Sequence, residues 1–388
     1  MRKVLPAALA IIIGISSCSK DEENQQPSAP QITITFPDGG FKVDSRQWLR
    51  VQPVVTGDSA TTRFLWTLNN DTVSVDKNLL YVFAEGGTYN LEFSASNNAG
   101  TTKQQVVVTV AEKSYENSIL TVFDYSPAPG QFINSMPAWE QGNTAAQVIA
   151  KAQESLNNRG MISLGGFGGY VVLGLGHTII NKPDDYSFLV KGNAFDNWSE
   201  PGIVMVSADV NGNGLPDDEW YEIAGAEYNS PETIHDYQIT YYKPDEGKTP
   251  MPDGMYLSDT TYLRWKDNQG KSGYVSKNVF HAGSYYPQWK GDSISFAGTC
   301  LTNKHVGDIS GEGSMFVSLP FAWGYTDNVK DDAENAAIRI SWAVDKSGKT
   351  VHLPGIDFIR VHTGMRAEAG WLGEVSTEVT GLVDLNLK

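Results

Sequence analysis

Cysteine is nearly absent from this chain, and so is an excess of basic charge. Two cysteines, Cys18 and Cys300, stand far apart, so neither a disulfide framework nor a paired-cysteine zinc site can be built. Lys and Arg total 29 against 45 Asp and Glu, a formal net charge of −16. That balance excludes nucleic acid as a partner and anionic membrane surfaces as a docking plane, because both require basic patches. The six histidines are dispersed, no His-Glu-x-x-His occurs, and no Gly-x-Ser-x-Gly elbow is present. Long hydrophobic runs are missing too. The most apolar stretch, Val4 to Ile15, falls well short of the roughly 20 residues that span a bilayer.

What is present begins at that stretch. Met1-Arg2-Lys3 supplies a basic head, and Ile15-Ser16-Ser17-Cys18 ends the apolar run on small residues. This is the pattern of a secretory signal over residues 1–17. The Cys after small residues resembles a bacterial lipobox, which implies that Cys18 is acylated and becomes the first mature residue. Residues 18–30 are acidic, polar and punctuated by Pro27 and Pro30, the composition of a disordered tether. Asp21-Glu22-Glu23 so close to the Cys resembles the surface-export signal of Bacteroidetes lipoproteins. The expected location is therefore the outer face of the outer membrane, held through the lipid alone. With Cys18 consumed, Cys300 has no disulfide partner. Ser295 to Leu301 reads as a strand without a neighbouring His, so a buried structural thiol is expected there.

Residues 31–111 read as a small all-β domain. Short alternating segments recur at Ile32 to Phe36, Trp48 to Val51, Phe64 to Leu68, Tyr89 to Ala95 and Val106 to Val110, with turn residues between them. Phe64-x-Trp66 and Gly87-Thr88-Tyr89-x-Leu91-x-Phe93-x-Ala95-x-Asn97-x-Ala99-Gly100 resemble a PKD-type immunoglobulin-like domain, with Trp66 as the buried tryptophan of a central strand. Such domains act as spacers or adhesion modules, so no chemistry is assigned here.

Residues 118–388 follow a short polar connector and read as one larger β-rich domain. One helix is expected from Thr144 to Asn158. Thr144 and Gln147 form a capping box, Val148, Ile149, Ala152 and Leu156 form an apolar stripe, and Gly160 provides the stop. The remainder alternates strands and loops. The expected architecture is all-β: an Ig-like sandwich followed by a larger jelly-roll-like sandwich with one peripheral helix.

The sharpest motif is Asp209-Val210-Asn211-Gly212-Asn213-Gly214-Leu215-Pro216-Asp217-Asp218-Glu219-Trp220. Asp209, Asn211 and Asn213 offer side-chain oxygens, Leu215 its carbonyl, and Asp217 with Asp218 or Glu219 the closing carboxylates of a structural calcium site. The twelfth position is Trp220 rather than Glu, and the same residues also suit an acidic Asn-Gly hairpin without an ion. Gly165 to His177 is glycine-rich but has its helix before it and a strand after it, the reverse of a nucleotide loop; close backbone packing is expected instead.

Three loops carry aromatics beside polar groups: Phe280 to Trp289, Ala322 to Asn328 and Gly370 to Glu374. His281, Tyr285, Tyr286, Trp289, Trp323, Tyr325 and Trp371 are the residues expected to contact a planar ligand or a sugar ring, unless they plug the ends of the sandwich. The segments Gly192 to Phe195, Ser199 to Ser207, Asp209 to Trp220, Tyr285 to Trp289, Phe321 to Tyr325 and Trp371 to Glu378 together resemble a family of cell-surface lipoproteins of gut Bacteroidetes. The resemblance implies a protein beside a TonB-dependent transporter, notably for corrinoid (vitamin B12) uptake, and supplies no catalytic residue. The expectation is a nutrient-capture lipoprotein for a corrinoid or a glycan rather than an enzyme. The alternatives are a glycan-binding or adhesive surface protein with the PKD-like domain as spacer and, behind it, a surface glycoside hydrolase.

Overall fold

The computed structural model describes residues 28–57, 60–117 and 119–387. The expected signal peptide, Cys18 and most of the expected tether lie outside the described residues. No helix among the described residues is long and apolar enough to cross a membrane.

The first domain follows from strict alternation. In strand Gly100–Ala111, Val106, Val108 and Val110 are buried while Gln105, Val107 and Thr109 face solvent. This strand pairs along its length with Gly87–Asn97. Arg63–Leu68 and then Asp71–Ser74 extend the sheet on one side, and Phe41–Asp44 adds in parallel on the other. Two ribbons, Gln31–Thr33 with Val54–Thr56 and Trp48–Val51 with Leu79–Val82, complete the domain. Trp66 is fully buried against Phe93 with ring centroids 4.6 Å apart, as the sequence pattern predicts.

The larger domain is built in three layers. Its centre is a six-stranded antiparallel sheet in the order Leu120–Ser126, Tyr170–Ile180, Gly355–Thr363, Gly202–Ser207, Tyr221–Ile223 and Ala343–Val344. One face carries Val171, Leu173, Val204, Val206, Ile359 and Val361, which share a core with Val148, Ala152 and Leu156 of the helix. The other face carries Tyr170, Arg360 and His362. It meets a four-stranded sheet, ordered Ser272–Asn278, Leu257–Asp267, Ile234–Tyr242 and Ser293–Cys300, through Tyr170 on Phe296 and the His362 Nε2 to Thr299 carbonyl contact of 3.2 Å. Both faces of the central sheet are therefore dry, and its strands read as near-continuous apolar runs. Cys300 lies in this second core, its thiol pushed up to about 11 by burial, consistent with a structural role.

The helix spans Ala145–Asn157 with the expected Thr144–Gln147 capping box. Its stop differs from the expectation in one detail. Arg159, not Gly160, takes the left-handed conformation, at φ 62°. Gly160 is needed for space: its N–H reaches the Ser155 carbonyl at 2.7 Å, and a Cβ there would sit 2.5 Å from Ser155 Oγ.

The two domains are clamped together. Arg46 donates to Asp384 Oδ2 at 2.8 Å and also to the Asn386 carbonyl, and His177 Nε2 meets the same Asp384 oxygen at 3.0 Å. A second, part-buried carboxylate, Asp357, accepts from Trp48 Nε1 at 2.7 Å, Thr178 Oγ1 at 2.7 Å and the Asp209 amide at 2.7 Å. Trp48, Val82 and Ala208 form a small apolar cluster across the same boundary. Breaking a buried ion pair by removing one partner costs about 3–5 kcal/mol. Arg46→Ala is expected to lower unfolding free energy in denaturant by about 3 kcal/mol; a loss below about 1 kcal/mol would show that the clamp adds little.

Candidate ligand-binding cleft

Four segments converge at one end of the larger domain: Gln131 to Met136, Asn193 to Glu200, Asn278 to His281 and Trp371 to Glu378. Between them lies a cleft of about 590 Å³, within the range of small-ligand sites (about 300–1,000 Å³).

One wall is aromatic because two glycines fold its loop tightly. Gly370 and Gly373 both have positive φ, and a Cβ on either would strike Phe316 or Gln131. The turn between them presents Trp371, whose ring lies 4.7 Å from Tyr256 and 5.8 Å from Phe280. Trp371 Nε1 is held by the Gly313 carbonyl at 3.1 Å. Phe280 is half exposed at 55%, a high value for a large apolar ring that packs on two others. Across the cleft, Phe195 and Trp198 stack with centroids 6.4 Å apart, Phe195 being 60% exposed.

The Phe280–His281 turn is fixed from below. Asn278 Oδ1 accepts from the amides of Phe280 and His281, and Asn278 Nδ2 donates to Gln131 Oε1 at 2.8 Å. Tyr285 donates in turn to Asn278 Oδ1 at 3.2 Å.

The floor is acidic. Glu200, Glu374 and Glu378 line it, with Asp327 directly behind, and all four are buried. Asp327 is the most tightly held: Oδ1 accepts from the amides of Asn193 and Ala194 at 2.7 and 2.8 Å, and Oδ2 from the Glu378 amide at 2.8 Å. Glu200 Oε1 accepts from the Ser376 amide at 3.1 Å, and Glu378 Oε1 from Ser376 Oγ at 2.8 Å. Glu374 Oε1 accepts from the Gln131 amide at 2.7 Å, whereas its Oε2 atom has no partner. No ion pair among the described residues involves any of the four. Burial, followed by the charges of Glu378 and Asp327, raises Glu200 well above the usual carboxylate range. Burial followed by the Glu378 charge raises Asp327 likewise, and burial raises Glu378. Glu374 is pushed up to about 8 by burial. Such a floor can donate and accept hydrogen bonds, or take up positive charge.

Of the residues expected to bind ligand, the cleft unites His281 and Trp371. The structure places the others elsewhere. Tyr285 and Tyr286 are fully buried: Tyr285 positions Asn278, and Tyr286 donates to the Gly291 carbonyl at 2.6 Å. Tyr325 is buried and accepts from the Glu227 amide at 2.9 Å. Trp289 packs against the main core beside Tyr125. Trp323 belongs to a separate depression with Trp342, 4.5 Å away. In each case a loop sequence of aromatics between Gly and Pro hides which ring turns inward. Glu200, Asp327, Glu374 and Glu378 were not expected. Their one local signal is an acid set among residues that are otherwise apolar or small, as in Glu374-Val375-Ser376-Thr377-Glu378.

The acidic loop behaves differently. Asp209 Oδ1 accepts from the Gly212 and Asn213 amides and Oδ2 from Gly214, while Asp218 Oδ2 accepts from Val210 and Asn211. Asn211 and Asn213 turn their amide nitrogens onto the two oxygens of Asp217, and Glu219 accepts from Tyr221. Leu215 is 52% exposed. Arg50 of the first domain donates to the carbonyls of Asp209 and Val210. The loop is thus also a dock for the first domain. Among the described residues, the acidic groups that approach one another closely enough to share an ion are Glu200, Asp327 and Glu378, not these.

A PKD-like domain family model matches residues 29–97. No curated protein matches the sequence. Among solved structures, a human PKD domain is 12% identical and covers 24% of this chain and 91% of its own, with a TM-score of 0.19. A SusE-like protein is 7% identical over 91% of this chain and 94% of its own, with a TM-score of 0.29. A structure of carbohydrate-binding modules from the β-sandwich superfamily is 9% identical over 92% and 98%, with a TM-score of 0.18. The PKD-like first domain rests on the family model, and the mostly-β architecture on the strands described above. At these TM-scores the likenesses carry no argument about function.

A pH dependence follows from an acid outside the cleft, the part-buried Glu222 of strand Tyr221–Ile223. Glu222, held by Thr299 Oγ1 at 2.6 Å, is pushed up to about 7 by burial, against an ordinary 4.5. The folded state holds this proton more tightly than the unfolded chain does. The stability contributed is full below about pH 4.5 and is lost as pH rises through 7. In chelator, Tm is expected to fall by roughly 2–4 °C more between pH 5 and 8 in the wild type than in Glu222→Gln. Parallel curves for the two proteins would refute this.

Proposed function

We propose that this chain is a surface-displayed capture protein whose larger domain holds a carbohydrate in the Trp371 cleft. The observation that carries the reading is the pairing of two aromatic walls with a carboxylate floor in one cavity. A pyranose ring has C–H-rich faces, which suit Trp371, Phe280 and Trp198, and an edge of hydroxyls, which suit Glu200, Glu374, Gln131 and Asn193. Half-exposed rings left facing water are otherwise unfavourable, and a ligand covering them would gain roughly 25 cal/mol per Å² buried. Display at the outer surface rests on the lipobox-like Cys18 and the acidic run after it. Handover to a TonB-dependent transporter belongs to the same proposal, with a corrinoid as the competing cargo. We read the domain as a binder, in which the carboxyl groups of the floor hold the ligand by hydrogen bonds.

The calcium expected at residues 209–219 is kept as a separate proposal, resting on residue types alone. Calcium should raise Tm and Asp209→Ala should abolish that part of the rise; a melting curve indifferent to chelator would reject it.

For the cleft, a glycan array and a cyanocobalamin titration should be run in parallel, following tryptophan fluorescence. The expected result is a glycan response that Trp371→Ala weakens at least about tenfold, with Trp323→Ala unaffected. A response to cyanocobalamin alone would replace the carbohydrate by a corrinoid, and an equal loss in Trp323→Ala would move the site.

A further inference from the structure

The cleft floor gathers three buried carboxyl groups, two of which, Glu200 and Glu378, also hydrogen-bond each other, so protons and a cation would compete for the same oxygens. Glu200, Asp327 and Glu378 each place one carboxylate oxygen within 4.8 Å of the others. All three are at least nine-tenths buried, and no basic side chain among the described residues pairs with them. Bringing several carboxylates out of water without a counter-charge is costly, and a bound cation is one of the few ways to offset it. The three are also held in place beforehand. Asp327 is fixed by three backbone amides, and Ser376 fixes the other two through its amide and its hydroxyl.

Glu374 adds an observation independent of the cluster. Only 6% exposed, it lines the same cleft, yet its Oε2 atom has no hydrogen-bond partner. Buried polar atoms are nearly always satisfied, so an orphan on a cleft-lining residue points to a partner that the chain itself does not supply. A hydroxyl or water held on a cation in the floor would donate to it.

We propose that the floor is a calcium site in which Glu200, Asp327 and Glu378 each supply one oxygen. A set made only of carboxylate oxygens suits a hard cation such as calcium, which takes oxygen ligands in flexible geometry. The protein supplies fewer oxygens than the six to eight that calcium takes. The open positions face the aromatic walls, where a pair of neighbouring sugar hydroxyls can complete the shell; that last step rests on the carbohydrate reading above.

The test uses the full chain, stripped with chelator and titrated with calcium and, separately, magnesium by calorimetry. The expected result is preference for calcium, with Glu378→Gln losing one equivalent that Asp209→Ala retains. Crystals of the wild type grown with calcium provide a measurement that does not depend on a variant folding; density for the ion is expected between Glu200, Asp327 and Glu378. Unchanged stoichiometry in a folded Glu378→Gln, or a floor without density at saturating calcium, overturns the site. Calcium bound at the floor with no glycan response in its presence supports the site and rejects the carbohydrate. Glycan binding that survives chelator unchanged overturns the sugar-on-calcium step.

Discussion

Burying carboxylates is the constraint around which the larger domain is arranged. Asp327 is reached by backbone amides from two different segments, so its position locks the Asn193–Ala194 turn against Glu378. Glu200 and Glu378 then share Ser376, and Ser376 also binds Ser163 at 2.8 Å and the Gly165 amide at 3.0 Å. A chain of polar contacts therefore runs from the cleft into the glycine-rich crossing. Gly165 and Gly169 pass so close to the Ala128 and Leu164 carbonyls that a Cβ would fall 2.1 and 1.9 Å from them. Removing any one acid would leave donors unpaired in a dry interior, where each orphan costs about 1–3 kcal/mol. The floor is consequently both the most demanding part of the fold and the part that faces the ligand.

The same tactic appears at the domain boundary. Asp384 is buried and Asp357 part-buried, but each is matched by donors from the first domain, Arg46 and Trp48. The contrast is informative. Where a carboxylate serves architecture, its oxygens are fully engaged by the chain; in the cleft, Glu374 keeps one oxygen free.

Much of the fold was legible in the sequence. The Trp66 core, the Thr144 cap and the alternation of Gly100–Ala111 are set by local patterns of period 2 or 3.6, which act within a few residues. The cleft was legible only at Trp371 and His281. Tyr285, Tyr286 and Tyr325 look like exposed loop aromatics because composition does not reveal direction, yet each is buried with its hydroxyl bonded, to Asn278, the Gly291 carbonyl and the Glu227 amide. The acids of the floor come from three segments far apart in sequence, so no window of residues contains the site. The first domain read as a spacer, yet the structure binds it tightly, because Arg46 and its partner Asp384 sit near opposite ends of the chain.

That clamp alters how force would cross the molecule. The connector before residue 118 is short and polar, and on sequence alone it would carry any pull on the first domain. Instead Arg46 grips Asp384 at the end of strand Gly381–Asp384, which zips antiparallel to Phe188–Lys191. Asn117 also binds the Asp384 backbone in both directions, at 2.8 and 3.0 Å. Tension would thus enter the larger domain through its last strand, loading several backbone hydrogen bonds at once. The two domains then behave mechanically as one stiff lever, and the cleft turns with its mounting instead of swivelling on it.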